Sequence, residues 1–286
     1  MKLKVSLLAK SVLALLSISA SSAYAIDTDP YDFVAPAPGV AVTALYYGDI
    51  SSNSQYSNSS KTTSNNINAK WLSAAFVKFH DVGGYVVGTK LVIPTTSTTV
   101  SPNPAAATVS GSGVGDPILV APVWLSSPGA ATSVAVISYL QLPLGSYDKN
   151  QPLSPGQNRW KFAVQPGVST PLTDKITLDV VGDVQFFGKN SDLNEEKKPL
   201  YSAQTHVSYK LASDLSVSLG AYKYLGGETK TSGVDGNDRT NTTTLLGSLG
   251  YWVNPSTNLQ FQYRTDTSVA NGAKFSGVQF RFLHAY

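Results

Sequence analysis

The chain contains no cysteine, and this absence excludes several kinds of chemistry. Among its 286 residues there is also a single methionine. Without cysteine the protein has no disulfide bond, no thiol nucleophile and no thiolate ligand for a metal ion. Its fold must therefore be held together by backbone pairing and side-chain packing alone.

The sequence also lacks an apolar run long enough to cross a bilayer as a helix. The most apolar stretch, SVLALLSISA, follows three lysines and precedes the small-residue pattern Ala23-Tyr24-Ala25. A membrane anchor needs about 20 apolar residues, whereas a positive start, a short apolar core and a small-x-small site are typical of a secretory signal peptide. We therefore predict that residues 1–25 are a cleaved signal peptide and that the mature chain begins at Ile26.

A net charge of one sign is absent once the signal peptide is removed. The chain has 21 Lys+Arg and 18 Asp+Glu, and residues 1–25 hold three lysines but no acidic residue, so the mature charge is 18 − 18 = 0. The isoelectric point near 8.8 describes the precursor. A neutral chain offers no broad positive field to a nucleic acid, and we predict no nucleic-acid partner.

No segment of the mature chain shows the 3.6-residue apolar period of a helix. Alternating stretches of about ten residues, the length of a membrane-spanning strand, are separated by short turns or by long loops rich in Ser, Thr, Asn, Gly and Pro. We predict about twelve strands, at 39–50, 67–80, 85–94, 114–125, 133–144, 158–169, 176–188, 199–211, 215–227, 240–253, 259–269 and 274–286.

The short turns and the long loops follow one another in strict alternation. Strands of an outer-membrane barrel run up and down, so that short turns face the periplasm and long loops face the outside. A β-sandwich has no reason to place every long connection at one end. The predicted fold class is all-β, a closed antiparallel transmembrane β-barrel of about 12 strands formed by residues 39–286, preceded by a periplasmic or plug-like segment, 26–38.

Apolar and polar residues alternate within the predicted strands, as in LQFQYRTD, where Leu259, Phe261 and Tyr263 share one face. In a membrane barrel the apolar row faces lipid and the polar row faces the lumen. Both charge signs occur in the polar rows, which predicts salt-bridged pairs across a narrow lumen. The candidate lumen-lining residues are Lys70, Lys78, Lys90, Arg159, Lys161, Asp179, Asp183, Gln185, Gln204, His206, Lys210, Gln260, Gln262, Arg264, Asp266, Gln279 and Arg281.

The last strand ends on an aromatic residue. Phe280, Phe282 and Tyr286 lie on one face of KFSGVQFRFLHAY, and this pattern resembles the C-terminal signal by which outer-membrane barrels are recognised for assembly. The last strand must also pair with the first, because an open sheet edge in lipid leaves backbone groups unsatisfied. We therefore predict that the barrel-assembly machinery is a partner and that these three residues form its signal.

Prolines near the middle of predicted strands are unexpected. Pro117 and Pro122 lie in GDPILVAP, and Pro166 lies in AVQPGV. Proline cannot donate to a strand ladder. We therefore expect β-bulges, or strand ends that extend above the bilayer, at these positions.

The polar residues form no recognisable catalytic motif. His80, His206 and His284 are far apart and show no metal-ligand spacing. Asp116 and Asp183 follow glycines, where a turn or lumen role accounts for them. We predict no enzyme activity, no cofactor and no metal, with a barrel enzyme around His206 as a lesser alternative.

Two segments resemble the family named for the meta-pathway of phenol degradation. DTDPYDFVAPAPGVAVTALYYG combines an acidic DP, a DF pair, a proline-rich stretch and a first strand with paired aromatics, and GSGVGDPILVAPVWL has that family's GxGD approach to a strand. Family members are taken to be outer-membrane barrels encoded with or near aromatic-degradation enzymes. The resemblance implies import of aromatic compounds and no catalysis.

The predicted function is passive uptake of small molecules, aromatic or hydrophobic ones among them, across the outer membrane of a Gram-negative bacterium. Tyr31 and Phe33 lie on the proline-stiffened segment 26–38 and are candidate plug residues. The expected partners are outer-membrane lipid, lipopolysaccharide and a small-molecule substrate. The alternatives are an adhesive or structural role of the long loops, and a general porin.

Overall fold

The predicted closed antiparallel barrel is confirmed. The computed structural model describes residues 26–101 and 107–286, so the predicted signal peptide lies outside the described residues. Twelve strands close the wall, and a thirteenth, Val109–Val114, extends the sheet beside one of them. The wall strands are β1 (Ala41–Ser52), β2 (Asn66–Val82), β3 (Tyr85–Ser101), β4 (Ile118–Trp124), β5 (Ser133–Gln141), β6 (Lys161–Pro171), β7 (Ile176–Phe187), β8 (Leu200–Lys210), β9 (Leu215–Gly226), β10 (Thr240–Asn254), β11 (Thr257–Val269) and β12 (Ser276–Ala285).

Each wall strand pairs with its neighbours in the chain, and β12 pairs with β1 to close the barrel. The last residue takes part in this closure, because Tyr286 N–H donates to Ala41 O over 2.8 Å. Phe280, Phe282 and Tyr286 are exposed on the outer face. Every backbone group along this seam therefore has a strand partner, as a lipid-exposed wall requires.

The connections alternate in length as the sequence predicts except at the last one, because the loop-end connection 270–275 is shorter than the turn-end connection 125–132. The β2–β3 turn needs only Gly83 and Gly84, which have φ values of 63° and 88° that suit glycine. At the opposite end the long loops carry short strands of their own. They are Gln55–Ser57, Ser60–Thr63, Glu195–Lys197, Thr229–Thr231, Val234–Asp235 and Gly272–Ala273. We call the two ends the turn end and the loop end, and the loop end faces outward in barrels of this class.

One predicted loop is largely strand. The sequence places a loop directly after residue 94, whereas β3 continues to Ser101 and Val109–Val114 pairs with its upper part. The extra residues are Thr, Ser and Val, whose side chains suit a strand above the lipid, where no apolar face is needed. Residues 102–106, which separate these two strands in the sequence, lie outside the described residues.

The prolines are accommodated by gaps in the ladder and not by bulges. Pro117 precedes β4, which begins one residue later. Between β4 and β3 the pairing is absent at Pro122 and resumes in the same register, and the same holds for β6 and β7 at Pro166. Both prolines remain in register with β5 on their other side. The missing proline N–H therefore interrupts the backbone hydrogen bonding locally, and the register of the paired strands does not change.

The described residues contain no helix of the length and apolarity that a membrane crossing requires.

Candidate functional site: an occluded lumen

The N-terminal segment 26–38, called the plug here, lies inside the barrel. Ile26 and Phe33 are each 1% exposed. The chain turns back on itself where Val34 N–H donates to Tyr31 O over 3.0 Å. Tyr31 N–H in turn donates to the Asp179 carboxylate of β7 over 3.0 Å. The plug therefore occupies the space that a solute would have to cross.

Acidic plug residues pair with arginines of the wall. The Arg264 guanidinium lies 3.0 Å from Asp27, and the Arg281 guanidinium lies 3.0 Å from Asp29 and 3.3 Å from Asp32. Both arginines are more than nine-tenths buried. Removing one partner of a buried ion pair leaves an uncompensated charge, so these contacts hold the plug in one position.

Two carboxyl groups of the plug have raised pKa values, that of Asp27, whose side chain is 10% exposed, and that of Asp32, whose side chain is 36% exposed. Burial raises the pKa of Asp27 to about 6, and the Arg264 guanidinium opposes this rise. Burial also raises the pKa of Asp32 to about 6, and the Asp29 carboxylate adds to the rise, which Arg281 opposes. At neutral pH the ionised plug therefore depends on its arginine partners.

Wall side chains also satisfy the plug's backbone. Thr28 O accepts hydrogen bonds from Tyr222 Oη at 2.5 Å and from His206 Nε2 at 3.0 Å. Thr28 N–H donates to Gln204 Oε1 over 3.0 Å, and Ile26 O accepts from an amide of β6. A segment with no strand partner must satisfy its polar groups in this way when it is buried. His206 thus serves as a backbone anchor for the plug.

The inner wall has two unlike halves. From β6 through β12 it is mainly polar, whereas from β2 through β5 it is mainly apolar. Phe33 packs into the apolar half, together with Ile26, and its carbonyl accepts a 3.0 Å hydrogen bond from Trp124 Nε1. The wall residues of this buried cluster are Phe79, Val86, Ile118, Val120, Trp124, Ala135, Ile137 and Tyr139, with Ala163 of β6 and Val181 of β7 at its border with the polar half.

Asp116 anchors the longest described loop, residues 142–160, at the loop end. Its carboxylate accepts hydrogen bonds from Gln141 Nε2 at 3.0 Å, Gly145 N–H at 2.9 Å and Gln157 N–H at 2.8 Å. The carboxylate therefore ties together the two ends of the loop and the last residue of β5.

This loop and the last loop together cover part of the mouth. Leu153 and Phe275, which we call the outer cap, pack on the inner-face residues Ile50, Ile67 and Val100. The backbone N–H of Phe275 donates to Asp266 over 2.8 Å. The lumen is thus covered at the loop end along β1–β3, in addition to being filled by the plug.

The structure places most of the predicted lumen residues on the inner face. Lys90 and Gln279 are half-buried on this face, and Lys210 is exposed near the turn end. Arg159 precedes the first residue of β6, and its guanidinium lies 2.5 Å from the Glu195 carboxylate of a long loop. Buried inner-face residues are Lys161, Asp179, Asp183, Gln185, Gln204, His206, Gln260, Gln262, Arg264, Asp266 and Arg281. The predicted lumen residues that form hydrogen bonds with the plug are Asp179, Gln204, His206, Gln260, Gln279, Arg264 and Arg281.

Lys70 and Lys78 lie on the outer face, not in the lumen. They share the face of Leu72 and Phe76, which are more than half exposed. The Lys70 ammonium lies 3.5 Å from the Asp49 carboxylate, and Lys78 Nζ donates to a backbone carbonyl beside β1. Both faces of β2 carry apolar residues, so the alternation of its sequence does not show which face points into the lumen. Long lysine stems can lie along an apolar face while the ammonium reaches polar partners.

Two parts of the site escaped the sequence analysis. The acids Asp27, Asp29 and Asp32 were seen only as part of a family resemblance, and the apolar half of the inner wall was not foreseen. A signal for the latter was present, because the segments ILVAPVW and SVAVISYLQ are apolar at nearly every position. Such continuous runs indicate burial on both faces.

The fold and this site define a class of protein, a β-barrel of the outer membrane whose lumen is filled by its own N-terminal segment. The family model described as MetA-pathway of phenol degradation matches residues 38–282, and the chain belongs to this family. The crystal structure of an outer membrane channel from Pseudomonas putida F1 is similar to it, with a TM-score of 0.86 and 25% identity over 91% of this chain and 100% of that one.

Two further solved structures share the fold alone. They are the β-domain of the Bordetella autotransporter BrkA, with 11% identity over 87% of this chain and 99% of that one, and the transport unit of the autotransporter AIDA-I from Escherichia coli, with 8% identity over 97% and 98%. Both have a TM-score of 0.56. A search of the curated proteins finds no match.

Proposed function

We propose that the protein is a gated outer-membrane channel for passive uptake of small apolar molecules, aromatic compounds among them, and that it catalyses no reaction. The observation that carries the proposal is the apolar half of the inner wall, which a water-filled porin does not need. The similar channel of Pseudomonas putida F1 supports transport as the function. The plug and the outer cap are then gates that must move before a solute passes.

The apolar wall gives the proposal a direct test. Cells lacking the protein should take up ¹⁴C-labelled toluene more slowly, and the wild-type gene should restore the rate. The Val120→Thr protein, which puts a hydroxyl on the apolar wall at nearly constant volume, should restore it only in part. The matched control Thr177→Val makes the reverse change on the polar half of the wall, at a buried inner-face position of β7, and should not reduce toluene uptake.

Other outcomes would point elsewhere. Toluene uptake that does not depend on the protein, together with large ion conductance of the intact barrel, would indicate a general porin. No conductance after deletion of residues 26–38, with loss of surface attachment in the deletion strain, would indicate an adhesive role of the long loops.

A further inference from the structure

We propose that Phe33 occupies a binding groove for a single-ring aromatic ligand, and that such a ligand opens the channel by displacing this ring. The inference rests on the proposed function, because it concerns how the same lumen is opened. It adds that the transported class of molecule is also the signal that releases the plug.

The groove fits a flat ring closely. Gly167 of β6 lies against the Phe33 ring, and a Cβ atom at this position would come within 2.5 Å of the ring carbons. Phe79 and Trp124 stand edge to face beside the plug, with ring centroids 5.6 Å apart. The site therefore accepts a planar group against bare backbone, with aromatic side chains around it, and Phe33 fills it with 1% exposure.

The groove also has one directional polar group. Trp124 Nε1 is buried and donates to Phe33 O over 3.0 Å. When the plug leaves, this N–H loses its acceptor, and a buried donor without a partner is unfavourable by about 1–3 kcal/mol. A ligand with an oxygen acceptor next to its ring replaces both the Phe33 ring and the Phe33 carbonyl. The favoured class is thus a neutral monoaromatic molecule with an acceptor oxygen.

The ligand and the docked plug cannot share the groove. A ligand that binds only the undocked state shifts the equilibrium toward that state, in proportion to its differential affinity. Apart from the burial of Ile26 and Ala35 against the same apolar cluster, the remaining plug contacts are ion pairs and hydrogen bonds to polar residues, and water can replace these polar contacts once the plug has left. Binding in the groove is therefore coupled to opening.

Binding to the full-length mature protein in lipid nanodiscs tests this coupling. Equilibrium dialysis would compare acetophenone, which carries an acceptor oxygen, with ethylbenzene, which does not, after subtraction of partitioning into empty nanodiscs. The Phe33→Ala protein should bind acetophenone about tenfold more tightly than wild type, because no ring has to be displaced. The control Val34→Ala alters an exposed plug residue and should bind as wild type does.

Two further variants examine the groove itself. Gly167→Ala places a methyl group where the ring lies and should abolish acetophenone binding, provided that the protein still shows heat-modifiable migration as a folded barrel. Trp124→Phe should remove the preference for acetophenone over ethylbenzene. Acetophenone should also increase the ion current through wild-type protein in planar bilayers.

Equal acetophenone affinity of the wild-type and Phe33→Ala proteins would overturn the displacement inference, and an unchanged preference in Trp124→Phe would overturn the role of the indole N–H. Neither result would bear on toluene uptake by cells. Uptake that does not depend on the protein would instead refute the proposed function, so the two failures are distinguishable.

Discussion

At the scale of single residues, buried charge decides where the plug lies. Arg281 receives two carboxylates, Asp29 and Asp32, while Gln260 donates a further 2.7 Å hydrogen bond to Asp29. Charges taken out of water are favourable only when their partners are complete. The wall therefore stabilises one docked position of the plug, because each acidic side chain of the plug has an arginine partner there. Truncation of a single arginine should destabilise the docked plug.

We expect Arg281→Ala to raise ion conductance in planar bilayers at pH 7. Removing one partner of a buried pair typically destabilises the arrangement by about 3–5 kcal/mol, and here two carboxylates lose their cation. Lys70→Ala is the matched control, because Lys70 pairs with an acid on the outer face and its side chain is 50% exposed.

The pH dependence of this variant follows from the carboxyl groups. The docked pKa of Asp32 is about 6, above its ordinary value. A raised pKa means that docking takes up a proton, so protonation favours the docked plug and this contribution is lost as pH rises through the docked pKa. Because Arg281 lowers the pKa of Asp32, its removal moves this loss to a higher pH than in the intact protein. The conductance of Arg281→Ala should therefore be lower at pH 5 than at pH 7. A variant that conducts equally at both pH values would contradict this account.

At the scale of elements, the twelve wall strands form one closed ladder, and Val109–Val114 is added to it by pairing with β3 on one side. The strand β12 has partners on both sides, β1 and β11, over most of its length. Strand length varies around the barrel, from 7 residues in β4 to 17 residues in each of β2 and β3, which are longer than the lipid-facing part needs. Strand ends at the loop end thus project beyond the bilayer and support the loops that cover the mouth.

The orientation of these elements can be tested with single cysteines, because the chain has none of its own. Cysteines at Ser57 and Ser232, both in long loops, should react with an impermeant thiol reagent on intact cells. A cysteine at Ser213, in the β8–β9 turn, should react only after the outer membrane is permeabilised. Equal labelling of all three positions on intact cells would refute the predicted orientation.

The closing strand supplies a second test at this scale. Tyr286→Asp should lower the amount of folded protein in the outer membrane without changing signal cleavage, because it places a charge at the end of an outward aromatic row. A charge on a lipid face is unfavourable by up to about 2–4 kcal/mol, and by less near an interface. The check is heat-modifiable migration of outer-membrane fractions, with Tyr286→Phe as the control that keeps the ring. Normal abundance of Tyr286→Asp would argue against the assembly role.

At the scale of the whole molecule, the lumen is closed at two levels. The plug fills it from the turn end, and the outer cap covers it at the loop end through a loop that Asp116 holds in place. The two closures share no residue. Full opening should therefore require both to move, whereas movement of the plug alone should open the channel in part, because the outer cap covers only part of the mouth.

Combined variants should show this independence. Deletion of residues 26–38 should raise conductance, Asp116→Asn alone should change it little, and the two changes together should raise it beyond the deletion alone. Asp116→Asn replaces a charged acceptor of two backbone N–H groups and should release the loop. Asp174→Asn, in an exposed turn at the opposite end, is the matched control. If the deletion reaches the full conductance of the combined variant, the outer cap is not a barrier.

The sequence by itself determined the fold, because local rules suffice for it. Alternation with a period of two specifies strands, and regular alternation of short and long connections specifies an up-and-down barrel. The alternation of apolar and polar residues identified the inner face wherever one face of a strand was clearly polar, as in β7, β8 and β11. It failed at Lys70 and Lys78, since β2 is apolar on both faces and period alone cannot say which face is inside.

Only the tertiary structure decided what fills the barrel. The contacts of Asp27 with Arg264 and of Phe33 with Gly167 join residues more than one hundred positions apart, and no local pattern encodes such pairs. The apolar half of the inner wall is likewise formed by residues of several adjacent strands, and the sequence of one such strand does not reveal it. Closure brings those strands to one side of the lumen and the plug's acids to the other, because the barrel fixes the order of its strands around the axis.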